Sequence, residues 1–396
     1  MKSSLLSIRA YTLSNALGLG VQASLDGLRA ERSGLRECRL PNIDLNTWVG
    51  QVDGLENVVL DQNLAEYNCR NNRLAELALQ QDGFIDHVQQ SIDTYGANRL
   101  GVFMGTSTSG IEETENAYQH MPADAENMPD WYHYRYTQNI FSIADFVRLR
   151  LGIEGPALSI STACSSSAKV FATAYRYILC GLIDVAVIGG VDSLCQTTLY
   201  GFNSLELVSD KPCSPWDADR KGINIGEGAG FALLERDSNR DGIHLLGYGE
   251  SSDAYHMSTP HPEGDGAMLA MQQALSRAGL KPEDIDYINL HGTGTKSNDA
   301  SEDRAVSRLF GDTVACSSTK AWTGHTLGAA GITEALFSCL FLEHGFMPKS
   351  LNTKILDPEC RANILREQIV KPLQATMTNS FGFGGSNCSL IFGALN

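Results

Sequence analysis

Positive charge is scarce in this chain. Its 396 residues carry 30 Lys and Arg against 46 Asp and Glu, a formal net charge of −16. That balance argues against a broad nucleic-acid footprint, which needs clustered cations, and an anionic partner would require a local basic patch. The 10 cysteines include no CxxC pair and no Cys/His cluster at zinc-ligand spacing, and there is no HExxH, so neither a disulfide framework nor a metal site is expected. Reduced thiols scattered through apolar segments suit a cytoplasmic protein. The opening MKSSLLSIRAYTLSNALG lacks a sustained apolar core ahead of a small-residue cleavage site, and no secretory signal is expected there. The best apolar run, YILCGLIDVAVIGGV, is broken by Gly181 and Asp184, so no membrane span is expected. Low-complexity linkers and short-period repeats are also missing.

What is present is a repeated format: a short apolar strand, a Gly/Ser/Thr turn, then an apolar helix. Residues 157–162 predict a strand and 165–180 a buried helix, with Gly181 at its C-terminal cap. VAVIGG at 185–190 predicts a strand covered on both faces. The second half reuses the format: IDYINL runs into HGTGT, TVACSS into TKAWTGH, and GAAGITEALFSCLFLEHG predicts an apolar helix ending at Gly345. An internally duplicated α/β protein follows, with residues 1–240 and 241–396 as its halves and the boundary in the polar break Asp237–Asp241. The polar segment Glu112–Trp131, with two prolines, predicts a surface excursion that covers something.

Ligand chemistry in α/β sheets gathers beyond the carboxyl ends of strands. Cys164, His291 and Lys320 all follow predicted strands, and His325 lies five residues beyond Lys320. At the start of a buried helix, Cys164 meets the positive end of the helix dipole, which favours thiolate. It is open to two readings, a nucleophile whose own amide contributes to an oxyanion hole or a small buried space-filler. His291 in LHGTGT and His325 in TGHTLGAAG are each either reactive or simply satisfied in a turn. Thr293 and Thr295 offer hydroxyls for an uncharged polar ligand. Lys320 and Glu334 bracket His325, as a pair fixing its orientation and tautomer or as a structural ion pair. NSFGFGGSN, at 379–387, supplies either a mobile aromatic gate at Phe383 or two core rings in a strand-entry turn.

Taken together and in order, TACSSS, LHGTGT, STKAWTGHTLGAAG and NSFGFGGSN resemble the β-ketoacyl-acyl carrier protein synthases of the thiolase superfamily. The similarity is to the elongating Cys-His-His class of ketoacyl synthase II and the type II polyketide ketosynthases, and SPWDADRKGINIGEGAG at 214–230 is similar to a further family segment. The resemblance covers nearly the whole chain and implies a duplicated, five-layer α/β/α/β/α thiolase-like fold. It places Cys164 on the acyl-accepting nucleophile, and His291 and His325 on the pair that polarises the malonyl thioester carbonyl. Lys320 and Glu334 fall on the network behind the second histidine. Phe383 falls on the aromatic gate whose amide completes the oxyanion hole, and Thr293 and Thr295 on the threonines that hold phosphopantetheine.

The implied activity is an acyltransferase reaction, the decarboxylative Claisen condensation of malonyl carrier protein with a Cys-bound acyl chain. It would serve fatty acid or polyketide, including aryl polyene, synthesis and would use no cofactor beyond the carrier's phosphopantetheine. The implied partners are an acyl carrier protein and a second subunit, in a homodimer or in a heterodimer with a related ketosynthase-like chain. The rival reading is a noncatalytic, chain-length-factor-like subunit, which typically lacks the nucleophile. A degradative thiolase is disfavoured by Phe383 where a second cysteine would stand, and a Cys-His-Asn initiating synthase by GHTLGAAG. Arg70 and Arg73 fall on the family's docking helix, and Lys211 on a second candidate docking loop. Three departures stand out: the glycine-rich N-terminal pattern is missing, Lys221 replaces a usual acid, and Thr108 replaces a bulkier apolar residue that lines the acyl pocket. The last suggests an unusual acyl chain.

Overall fold

The computed structural model describes residues 5–236 and 242–395. The boundary expected within 237–241 lies outside the described residues, as do the first four residues of the N-terminal stretch read above. Strands numbered by chain order in the first half are Leu6–Asn15, Leu100–Gly105, Ala157–Ile160, Val185–Asp192 and Gly228–Arg236. In the second they are Gly242–Ser252, Tyr287–Asn289, Ala315–Ser317, Ala375–Gly382 and Ser386–Leu395. Both sets lie in the order 3-2-4-5-1, with Asn363–Ile364 added at one edge of the second. Strands 2, 3 and 4 of each half run parallel, and strand 5 pairs antiparallel with both 4 and 1. The two first strands meet antiparallel at Leu6 with Leu245 and Ser7 with His244, joining the halves.

Two helices fill the space between the half-sheets, Ser166–Leu179 from the first half and Ala330–His344 from the second. Each touches strands of both halves, and further helices cover the outer faces, which gives five layers of α/β/α/β/α. Every residue from Ala330 to Leu342 is buried, so this helix is apolar around its whole circumference instead of along one stripe. It ends at Gly345, whose φ of 61° is the left-handed cap expected there. The two helices meet backbone to backbone. A Cβ on Gly331 would stand 2.4 Å from the amide nitrogen of Ala168.

The segment expected as a polar excursion begins with a helix, Ile111–His120. Glu115 on it accepts from the amides of Gln196 and Thr197 at 3.0 and 2.6 Å, capping the Gln196–Ser204 helix. What it covers is therefore a helix N-terminus. The central contact yields a stability prediction: Gly331→Ala forces the two helices apart and lowers unfolding free energy by about 1–3 kcal/mol in denaturant titration.

Candidate active site

The strand ends converge as the sequence pattern requires. Cys164 follows strand 3 of the first half, and His291, Lys320 and Phe383 follow strands 2, 3 and 4 of the second. One ligand atom from each of Cys164, His291 and His325 lies within 4.8 Å of the others, and all three residues are buried.

The serines of STACSSS build the turn that aims the thiol. Ala163 has φ 52°, a strained left-handed value for a residue with a side chain. Ser165 Oγ donates to the Thr162 carbonyl at 2.9 Å, while Ser166 Oγ donates to the Ala163 carbonyl and accepts from the Thr162 amide at 2.9 Å. Ser167 Oγ accepts from the Ile332 amide at 2.9 Å, tying the elbow to the other central helix. Gly382 also approaches it, since a Cβ there would lie 2.7 Å from the Thr162 carbonyl oxygen. The Phe383 amide lies near enough to the Cys164 sulfur to favour its ionised form.

His325 reaches Cys164 directly, with Nε2 3.0 Å from Sγ. Its backbone is clamped to residues 224–226: the His325 amide donates to Asn224 at 2.7 Å and its carbonyl accepts from Gly226 at 3.0 Å. Glycine is required at 226 because a Cβ would lie 2.1 Å from the Thr323 carbonyl oxygen. His325 Nδ1 has no hydrogen-bond partner among the described residues.

The Lys320–Glu334 pair, expected to fix His325, instead stands behind His291. The His291 amide donates to Glu302 Oε1, and the Gly292 amide to Glu302 Oε2, both at 2.8 Å. The Lys320 ammonium donates to the His291 carbonyl and to Glu334 Oε1, and its Nζ lies 3.4 Å from His291 Nδ1. An ammonium there makes Nδ1 an acceptor and leaves Nε2–H as the donor that faces the site. The two imidazoles stand 5.3 Å apart at 82°.

Burial dominates the electrostatics. It pushes the Cys164 thiol up to about 11, opposed by the Lys320 charge and the Phe383 amide and reinforced by the charges of Asp192 and Glu334. Desolvation therefore works against the thiolate expected at the helix start. Burial also holds both imidazoles well below their ordinary value, and the Lys320 charge adds to this, so both are neutral at pH 7. Burial raises the Glu334 carboxyl, and Lys320 pulls it back.

Thr293 and Thr295 line a channel of about 610 Å³, mouth included, that ends at Cys164, His291 and His325. Their hydroxyls lie 2.9 Å apart, and Thr295 caps the Lys296–Phe310 helix. Phe383 also lines it, with its ring 5.5 Å from that of Phe202. Thr108 stands apart from this channel: its amide and hydroxyl are both spent on Asp192, at 2.9 and 2.8 Å. Arg70 turns inward, with its side chain 14% exposed and two donors on the fully buried Glu227. A guanidinium committed to a buried carboxylate is not a surface docking charge. Arg73 is half-buried and donates to Asn68 at 3.2 Å, whereas Lys211 is exposed.

Glu302 escapes a reading of the sequence, because KSNDASEDRAVSRLF looks like a solvated helix. The signal is its spacing: Asp299, Glu302, Asp303, Val306 and Phe310 form one buried stripe, so the acids share the core-facing side with apolar residues. Each answers backbone N–H groups, Asp299 those of Gly294 and Trp216 and Asp303 those of Arg361 and Ala362.

A cysteine at a strand-to-helix elbow, two imidazoles and a converging amide, in a duplicated five-layer α/β fold, define a site of the thiolase type. Comparison with known proteins gives the family. The N-terminal domain of beta-ketoacyl synthase matches residues 72–240 and its C-terminal domain residues 244–354. The chain belongs to the beta-ketoacyl synthase family. It is 41% identical over 270 residues to the mitochondrial 3-oxoacyl-[acyl-carrier-protein] synthase of Arabidopsis thaliana, covering 63% of this chain and 59% of that protein. It is 35% identical over 310 residues to nodulation protein E of Rhizobium meliloti, covering 75% and 76%. Among solved structures, a chain of the complex of ketosynthase ApeO with its chain length factor ApeC, from Xenorhabdus doucetiae, superposes with TM-score 0.89 at 40% identity. That match covers 99% of this chain and 98% of the other.

The protonation state is open to a direct check. Alkylation of Cys164 by iodoacetamide, followed by mass, should keep rising with pH beyond 9, toward about 11. Lys320→Met removes the charge that favours thiolate and should move the profile further up. A plateau reached by pH 7 would instead indicate a resting thiolate–imidazolium pair.

Proposed function

We propose that this chain is a β-ketoacyl-acyl carrier protein synthase, with Cys164 as nucleophile and His291 and His325 as the groups that carry decarboxylation. The observation that supports this most is the 3.0 Å contact of His325 Nε2 with Cys164 Sγ at the end of a channel lined by Thr293 and Thr295. In the first half-reaction the sulfur attacks the acyl thioester carbon while its proton passes to His325 Nε2. The Cys164 and Phe383 amides hold the tetrahedral oxyanion, which collapses to acyl-cysteine as the carrier's pantetheine thiolate leaves and takes up the proton.

In the second, malonyl carrier protein occupies the same channel. Breaking the bond to the carboxylate releases CO2 and leaves the electron pair on an enolate, whose oxygen accepts hydrogen bonds from His291 Nε2–H and from His325 in the Nε2–H tautomer, which it can adopt once the facing sulfur is acylated and no longer donates a proton to it. The enolate carbon attacks the acyl-cysteine carbonyl, and the Cys164 sulfur departs as thiolate and takes up one proton from solvent. Lys320 serves by fixing the His291 tautomer, and Glu334 by neutralising Lys320 in a dry interior. Holding acyl-cysteine and enolate together supplies much of the acceleration as effective molarity.

With Arg70 committed to Glu227, carrier docking falls to other cations. Exposed Lys211, Lys221 and Lys354 line one cleft, and Lys221 and Lys296 line another that shares Leu207, Thr295 and Ser297 with the channel. Lys221 is also the residue that departs from the family pattern, and an acidic carrier suits this edge. The solved ketosynthase paired with a chain length factor supports assembly with a related second subunit, with this chain, which keeps the nucleophile and both histidines, as the catalytic member.

The test supplies malonyl and acyl carrier proteins and follows CO2 and product. His291→Ala should slow condensation at least about 100-fold while leaving Cys164 acylation measurable, the signature of lost enolate stabilisation. Equal loss of both steps would contradict the division of roles. Lys211→Glu with Lys221→Glu should raise KM for the carrier substrate and leave turnover of a small pantetheine thioester intact; an unchanged carrier KM would place docking elsewhere.

A further inference from the structure

Asp192 ends strand 4 of the first half and is fully buried. Its Oδ1 accepts from Thr106 Oγ1 at 2.6 Å, the Ser107 and Thr108 amides at 2.9 Å and Thr108 Oγ1 at 2.8 Å. Its Oδ2 accepts from the Ser107 amide at 3.0 Å, the Ser107 hydroxyl and the Gly328 amide. These partners are N–H and O–H dipoles, none of them a cation. A buried carboxylate is tolerable on such terms only when donors saturate it, and here two loops from opposite halves supply them.

Both loops lead to the reacting pair. Gly328 lies three residues beyond His325, and its amide also donates to Ser107 Oγ at 3.1 Å. The fit leaves no slack, since a Cβ on Gly328 would stand 2.7 Å from both Asp192 Oδ2 and the Ser107 amide nitrogen. The other loop begins at Gly105, where a Cβ would lie 2.3 Å from the Ser167 amide nitrogen, so it rests on the helix that starts just after Cys164.

We infer that Asp192 is a positioning residue whose carboxylate clamps the Thr106–Thr108 turn to the Gly328 turn, and so sets the approach of His325 to Cys164. It also acts through its charge. Around the thiol, Asp192 and Glu334 oppose ionisation, while Lys320 and the Phe383 amide favour it. His325 Nε2 faces the sulfur. The kinetic arm of the test rests on the proposed condensation; the alkylation arm needs only a reactive Cys164.

The test compares Asp192→Asn and Ser107→Ala in the full chain. Asparagine offers one acceptor oxygen and turns an NH2 group toward N–H donors, so one of the two loops loses its anchor. Asp192→Asn should lower kcat for condensation about tenfold or more with KM for the carrier substrate little changed. It should also move the Cys164 alkylation profile to lower pH, because a negative charge has gone. Ser107→Ala keeps that charge and should lower kcat while leaving the alkylation profile in place. A folded Asp192→Asn protein with wild-type kcat and alkylation profile overturns the inference, even if its melting temperature falls. If Asp192→Asn does not fold, a folded Ser107→Ala with wild-type kcat overturns it. If the wild type does not condense, a shifted alkylation profile in Asp192→Asn still supports it and an unshifted one overturns it.

Discussion

Two helices from opposite halves touch at Gly331 and Ala168, and the rest of the site depends on that contact. Cys164 comes from the first half, and His291, Lys320, His325 and Glu334 come from the second. A sulfur and an imidazole nitrogen held 3.0 Å apart across such a boundary need the boundary packed as tightly as a core. Small residues make this possible where the backbones meet, and Ser167 adds a hydrogen bond to Ile332 across the same seam. Fold and site are therefore one packing problem: the duplication brings equivalent strand ends together, and the central helix layer fixes their separation.

Close packing also dries the site, and dryness sets its chemistry. A thiol pushed up to about 11 lies beside a neutral imidazole, so burial favours the uncharged pair at rest. The same dryness gives full weight to each donor, so loops that would wander in water are pinned by buried acids: Glu302 at His291, Asp299 at Gly294 and Asp192 at Gly328. A strongly acidic chain thus uses part of its negative charge inside, as acceptors for backbone N–H groups.

Much of this was legible in the sequence, for reasons tied to particular residues. Cys164, His291, Lys320 and Phe383 each sit just past a strand, in a turn whose composition is visible locally, and Gly345 marks a helix end that the structure keeps. The duplication followed from the repeated strand-turn-helix format, and the five-layer arrangement from the family resemblance. Long-range facts were not legible. Nothing near Arg70 shows that its partner is Glu227, 157 positions on, which removes it from the docking surface. The commitment of Thr108 to Asp192 is likewise nonlocal. The Ile111–His120 helix was hidden by its polarity, and Glu302 by looking solvated. The protonation state of Cys164 depended on burial, which a helix-start pattern does not encode.

The central claim is that Cys164 takes an acyl group from a carrier protein. Incubating the intact protein with a panel of acyl carrier proteins and measuring its mass, beside Cys164→Ala, tests it most directly. The account predicts a gain of one acyl group that maps to Cys164 and vanishes in the variant. No gain from any acyl carrier, or a gain that persists in Cys164→Ala, would contradict it.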